Sequence, residues 1–134
     1  MAAGATVDQA TEGGFTPLYA SAEHGHLGVV HALVVAGATV VDQAKKDGAT
    51  PLFISAQFGH LDVVQALVAA GASADQAAEG GFTPLYVSAY NGHLEVVRAL
   101  VQAGAAISAV SGSTALSAAK QQGHADVVAL LMRS

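Results

Sequence analysis

The triplets Thr16-Pro17-Leu18, Thr50-Pro51-Leu52 and Thr83-Pro84-Leu85 recur at intervals of 34 and 33 residues, and Thr114-Ala115-Leu116 follows 31 residues later. A second marker keeps the same intervals: Gly25-His26-Leu27, Gly59-His60-Leu61, Gly92-His93-Leu94 and Gly123-His124-Ala125. Two markers sharing one period mean that the whole chain is built by repetition, which rules out a single irregular core and leaves a solenoid or an array. Residues 4–36 and 71–103, compared at an offset of 67, differ at only nine of 33 positions. The first and third repeats are close copies.

Each marker has a mechanical meaning. Thr is a strong helix N-cap, and Pro suits the first helical position, where its missing N–H costs nothing. A helix therefore starts at each triplet and runs about eight residues to the following Gly, whose freedom to adopt a left-handed conformation ends it. A second helix follows at once. In Leu61-x-Val63-Val64-x-x-Leu67-Val68 the apolar residues fall on one broad helical face, as in a helix packed against neighbours. Gly37, Gly71 and Gly104 close these second helices. Connectors ending in Gly48-Ala49-Thr50, Gly81-Phe82-Thr83 and Gly112-Ser113-Thr114 lead to the next unit as projecting turns, and all variation in period lies in them.

Composition agrees with thin, stacked layers. Apolar residues make up 52% of the 134 positions and charged ones 11%, so the chain is not disordered. Ala and Val dominate, and seven aromatics are few for one large core. A net charge of −5 is the wrong sign for nucleic acid. No apolar run approaches the roughly 20 residues of a membrane span, and Met1 to Val7 lacks the pattern of a secretion signal. With no cysteine there is no disulfide or thiolate chemistry; an intracellular location is permitted and favoured.

Thr-Pro-Leu, Gly-His-Leu and a closing Gly-Ala at a period of about 33 residues resemble the ankyrin repeat. The likeness covers residues 4–134, with units at about 4–36, 37–70, 71–103 and 104–134. It implies an all-α solenoid of four helix-turn-helix units with projecting hairpin fingers, acting as a protein-protein interaction module through the fingers and the concave face of the first helices. The family's His after Thr-Pro-Leu is Tyr19, Phe53, Tyr86 and Ser117 here, so its Thr-to-His hydrogen bond is not expected, and packing is expected to hold the helix start instead. The usual finger Asp is Thr11 in the first repeat and Ala78 in the third, which predicts a less rigid finger, while Asp8 and Asp75 stand where the family has Asn.

All seven aromatics, Phe15, Tyr19, Phe53, Phe58, Phe82, Tyr86 and Tyr90, fall at a finger end or in a first helix. Tyr19, Phe53 and Tyr86 share one repeat position and read as packing between layers. Phe58 and Tyr90 occupy a polar, variable pair of positions before the Gly and read as surface anchors. The resemblance carries the partner-binding region onto Glu12, Phe15, Glu23 and His24 in the first repeat, Lys46, Asp47, Gln57 and Phe58 in the second, and Glu79, Phe82, Tyr90 and Asn91 in the third. No metal or cofactor site is expected. Neighbouring His of the recurring row should stand about 8–10 Å apart, whereas two zinc-bound nitrogens lie within about 4 Å of each other. No catalytic motif is present, and the Gly pairs are turn residues, so the chain does not read as an enzyme.

The two ends differ. Lys120, Gln121, Gln122 and Arg133 suit a solvated C-terminal cap, whereas the first unit looks internal, with Gly28 and Val35 where the third repeat has Glu95 and Gln102. An apolar N-terminal end is expected, offering Leu18, Val29, Val30 or Leu33 to another copy. The alternative function is therefore a structural or self-assembling scaffold, with a homodimer through the uncapped first repeat. The likeness of the repeats is also what an excised or engineered, consensus-like array would show.

Overall fold

The computed structural model describes residues 16–35, 48–105 and 114–133. Within them the chain forms four helix pairs: α1 Pro17–Glu23 with α2 Leu27–Val35, α3 Pro51–Phe58 with α4 Leu61–Ala69, α5 Pro84–Tyr90 with α6 Leu94–Gln102, and α7 Ala115–Gln121 with α8 Ala125–Arg133. A short 3-10 turn, Glu79–Gly81, precedes α5, and the described residues contain no strand.

Every first helix starts on its Thr. The hydroxyls of Thr16, Thr50, Thr83 and Thr114 accept the backbone N–H of Tyr19, Phe53, Tyr86 and Ser117 at 2.9–3.1 Å. The helix start is thus held by a hydrogen bond from backbone N–H to the Thr hydroxyl and not by packing alone, because the cap needs no histidine: any residue three positions on supplies the N–H. In the fourth unit Ala115 replaces Pro, and Ser117 completes a reciprocal cap, its Oγ accepting the Thr114 N–H at 3.1 Å.

The first helices also stop alike. Gly59 is left-handed, with φ 76°; its N–H reaches the Ala56 carbonyl at 3.3 Å, and the His60 N–H reaches that of Ser55 at 2.9 Å. This paired C-terminal motif satisfies carbonyls that a helix end leaves open, and it turns the chain directly into α4.

First helices stack on first helices in the order α1, α3, α5, α7, and second helices stack as α2, α4, α6, α8. Between the rows lies a core of Leu52, Leu67, Leu85, Leu100 and a line of valines, Val63, Val64, Val96, Val97 and Val127, all essentially without solvent contact. Ala22, Ala56 and Ala89 are fully buried as well. A small side chain there lets successive layers approach closely.

The layers are joined by the recurring histidine. The Nε2–H of His60 donates to the Glu23 carbonyl at 3.0 Å, that of His93 to Gln57 at 3.0 Å, and that of His124 to Tyr90 at 2.9 Å. Each ring lies against the glycine that ends the preceding first helix: a Cβ on Gly25, Gly59 or Gly92 would come within 2.6–2.7 Å of its Nδ1. Glycine is required there twice over, by its positive φ and by the ring above it.

Of the fingers, the segment between α4 and α5 lies within the described residues. It reverses through Gly80 and Gly81, both at positive φ, and closes with the Ala78 N–H donating to the Phe82 carbonyl at 2.8 Å. The finger is a tight turn without paired strands, as its alanines favour. Gly48, ending the previous finger, passes so close that a Cβ there would stand 3.2 Å from the Ala78 Cα.

Comparing two glycines isolates the histidine contact. Gly59→Ala is expected to cost about 2–3 kcal/mol, from the left-handed backbone and the lost hydrogen bond of the displaced His93 ring. Gly71→Ala, also at positive φ but with open space around it, should cost about 1 kcal/mol. Urea unfolding midpoints of the two variants measure the difference.

Candidate partner-binding surface

The cap and stop of each first helix fix which side chains reach the surface beside the finger. Tyr19 is buried, at 2% exposure, while Phe53 and Tyr86 at the same repeat position are half-buried. Phe58, Phe82 and Tyr90 remain open to solvent at 51%, 41% and 43%. Phe82, Tyr86 and Tyr90 follow one another at four-residue spacing, which sets them along one face of the finger end and α5. Their rings form a row: Phe82 and Tyr86 are 5.1 Å apart and tilted, and Tyr86 and Tyr90 are 6.4 Å apart at an interplanar angle of 22°. The Phe82 ring folds back over Gly80, where a Cβ would come 2.8 Å from its edge.

Two hollows lie on this surface. The larger, about 430 Å³, has walls of Phe53, Phe82, Tyr86 and Tyr90 and a polar rim of Gln57 and Asn91. The other, about 410 Å³, lies between Glu23, His24, Phe58 and His60. The expected binding residues therefore divide: Gln57, Phe82, Tyr90 and Asn91 gather in one hollow, and Glu23, His24 and Phe58 in the other. Phe58 and Tyr90 do not share a patch, because Phe58 is the last residue of α3 while Tyr90 corresponds to Gln57, one place earlier in the repeat. Glu79 is exposed on the finger turn. Glu12, Phe15, Lys46 and Asp47 lie outside the described residues.

Asn91 is more than a rim residue. Its Nδ2 donates to the Val87 carbonyl at 3.0 Å and to that of Gln57 at 3.3 Å, beside the His93 bond to the same Gln57 oxygen. Phe53 and Tyr86, expected from their shared repeat position to pack between layers, also wall the larger hollow. The spacing of Phe82, Tyr86 and Tyr90 was the signal that would have joined them to it.

Chemically, the larger hollow has no ionisable side chain except the tyrosine phenols. It offers aromatic faces and amide groups, which suits an apolar or aromatic side chain brought by another molecule. The row histidines His60, His93 and His124 have Nε2 committed to carbonyl oxygens. Among the described residues, no three His, Asp or Glu come together as a metal site.

The ends of the stack depart from the sequence reading in part. Leu18, Val30 and Leu33 are buried within the chain and are not available to another copy, since they face the layer formed by their own helix pair and the next. Val29 is 50% exposed, whereas its counterparts Val63, Val96 and Val127 are at 0–2%. Val35 is exposed too, at 87%. In the fourth unit Lys120, Gln121 and Gln122 are exposed, and so is Met132, at 65%.

Compared with protein-family models, the chain matches the one described as ankyrin repeats (3 copies), over residues 1–78, 20–111 and 70–134. No curated protein matches it.

Exposure predicts that the aromatic surface is separable from the fold. Phe58→Ala and Tyr90→Ala should each change unfolding free energy by less than about 1 kcal/mol, whereas Leu85→Ala, fully buried, should cost about 2–5 kcal/mol. Thermal and urea unfolding, monitored by helix circular dichroism, check this.

Proposed function

We infer the function from one premise: the chain belongs to the ankyrin repeat family, whose model matches across residues 1–134. Ankyrin repeats are in general protein-protein interaction modules and typically have no catalytic function. This chain accordingly binds another protein, through the surface made by the first helices and the finger ends. The observation that carries the reading is the exposure of Phe58, Phe82 and Tyr90, three large rings on the first-helix and finger surface. Rigid aromatic side chains set in hollows are the usual anchors of protein interfaces. Phe15, Glu12, Lys46, Asp47 and Glu79 of the fingers would frame the contact, with Glu23, His24, Gln57 and Asn91 between the anchors. The net charge of −5 argues against nucleic acid as the partner. No helix of the described residues is long and apolar enough to cross a membrane.

A second reading rests on Val29. It is half-exposed in the first unit described, whereas its counterparts Val63, Val96 and Val127 are covered. Self-association through the first repeat would cover it, making the chain a scaffold of repeated copies.

Photo-crosslinking residues placed at positions 58 and 90 should capture the partner, while the same residues at positions 65 and 98, on the opposite side of the helix pairs, should not. Phe58→Ala with Tyr90→Ala should weaken binding of the captured partner by about 2 kcal/mol or more in calorimetry. Crosslinking confined to positions 65 and 98, or unchanged affinity of the double variant, would overturn the concave-surface reading.

A further inference from the structure

We propose that the hollow walled by Phe53, Phe82, Tyr86 and Tyr90 takes an arginine side chain from a basic segment of the partner protein, its guanidinium lying over the tyrosine faces. This rests on the protein-binding reading and adds to it the chemistry of the partner.

The walls by themselves would take any apolar or aromatic side chain, but three features select a cation. The first is the row of rings. Phe82, Tyr86 and Tyr90 have centroids 5.1 and 6.4 Å apart, and the two tyrosines lie within 22° of parallel. The face of an aromatic ring is negative and attracts a cation within about 6 Å of its centroid, so rings this close put one cation within reach of two faces. Arginine suits such a row better than lysine, because its guanidinium is planar, stacks on rings and is weakly hydrated. In a hollow of about 430 Å³ its methylene stem has Phe53 and Val87 to pack on.

The second feature is the rim. Asn91 Nδ2 donates to the carbonyls of Val87 and Gln57 at 3.0 and 3.3 Å. Those bonds fix the amide and leave Oδ1, an acceptor, as the polar atom that Asn91 brings to the hollow. Tyr86 and Tyr90 add phenol oxygens, which accept as well as donate. A guanidinium answers them with five N–H groups, whereas a leucine or phenylalanine has none.

The third is charge. Counted along the sequence, the connectors ahead of the first helices carry Asp8, Glu12, Asp42, Asp47, Asp75 and Glu79 against Lys45 and Lys46, and so hold four of the five net negative charges. Among the described residues of α1, α3, α5 and the finger between α4 and α5, the Asp, Glu, Lys and Arg side chains are Glu23, Asp75 and Glu79, all carboxylates. The first-helix lysine, Lys120 on α7, is not among the walls of the hollow. A basic segment is therefore drawn to this side of the molecule, and an acidic one is repelled.

Selection from a randomised peptide library displayed on phage tests this, with the full chain as bait and its Tyr90→Leu variant for counter-selection. Leu keeps apolar bulk at this exposed position but has no ring face, and circular dichroism verifies that the variant is folded. Peptides retained by the wild type alone should share a net positive charge and one recurring arginine. In fluorescence polarisation, the best of them should lose about tenfold in affinity when citrulline, the neutral analogue, replaces that arginine, and about tenfold on Tyr90→Leu. Tyr90→Phe, which keeps the ring, should stay within about threefold of wild type, and added salt should weaken binding. Tyr90-dependent peptides built on a recurring Leu, Phe or Trp, a citrulline peptide that binds as tightly, or an affinity indifferent to salt would overturn the arginine inference and keep the concave-surface reading. Enriched peptides that bind Tyr90→Leu and Phe58→Ala as tightly as wild type, or a library that enriches nothing, would overturn both.

Discussion

Successive units are held in register by one residue used twice. The backbone N–H of each recurring histidine closes the helix that precedes it in its own unit, as His60 does on Ser55, while its ring reaches back to the carbonyl of Glu23, Gln57 or Tyr90 in the unit before. Both bonds satisfy carbonyls at a helix end, where intrahelical partners run out. The ring fits because the residue beneath it is glycine. A hydrogen bond of this kind contributes only about 1 kcal/mol, but it fixes where each layer sits on the last, and the burial of Leu52, Leu85, Val64 and Val97 depends on that placement.

With the layers so placed, the two rows of helices have different tasks. The second helices bury valines and leucines and turn polar groups outward, as in Glu95 and Arg98, an exposed ion pair at 3.2 Å. Such a pair is screened by water and adds little to stability. The first helices have small buried residues toward their neighbours, among them the row of Ser21, Ser55 and Ser88, whose hydroxyls return to the carbonyls of Leu18, Leu52 and Leu85 at 3.0 Å. The large rings are left for the other side. Phe82, Tyr86 and Tyr90 therefore line a surface hollow instead of filling a core.

The helix boundaries were legible in the sequence because their causes are local. Thr16, Thr50, Thr83 and Thr114 cap through a bond spanning three residues, and Gly25, Gly59, Gly92 and Gly123 stop a helix by their own φ. The candidate surface was less legible. Tyr19, Phe53 and Tyr86 share one repeat position, yet one is buried and the other two wall a hollow; the difference depends on what the neighbouring units place beside them. Phe58 and Tyr90 looked like one pair on paper and stand in separate hollows, because adjacent helical positions point about 100° apart.

The capping Thr, the stopping Gly and the period of about 33 residues at which they recur thus determined by themselves that this chain is a series of helix pairs, since caps and stops act within one or two turns and the period only repeats them. The tertiary structure alone decided that the recurring histidine is a tie between units, that Leu18, Val30 and Leu33 are covered while Val29 is not, and that Tyr19 is buried where Phe53 and Tyr86 wall a hollow. The histidine ties join residues 34–37 positions apart, and such distances exist only once one layer has been laid on another.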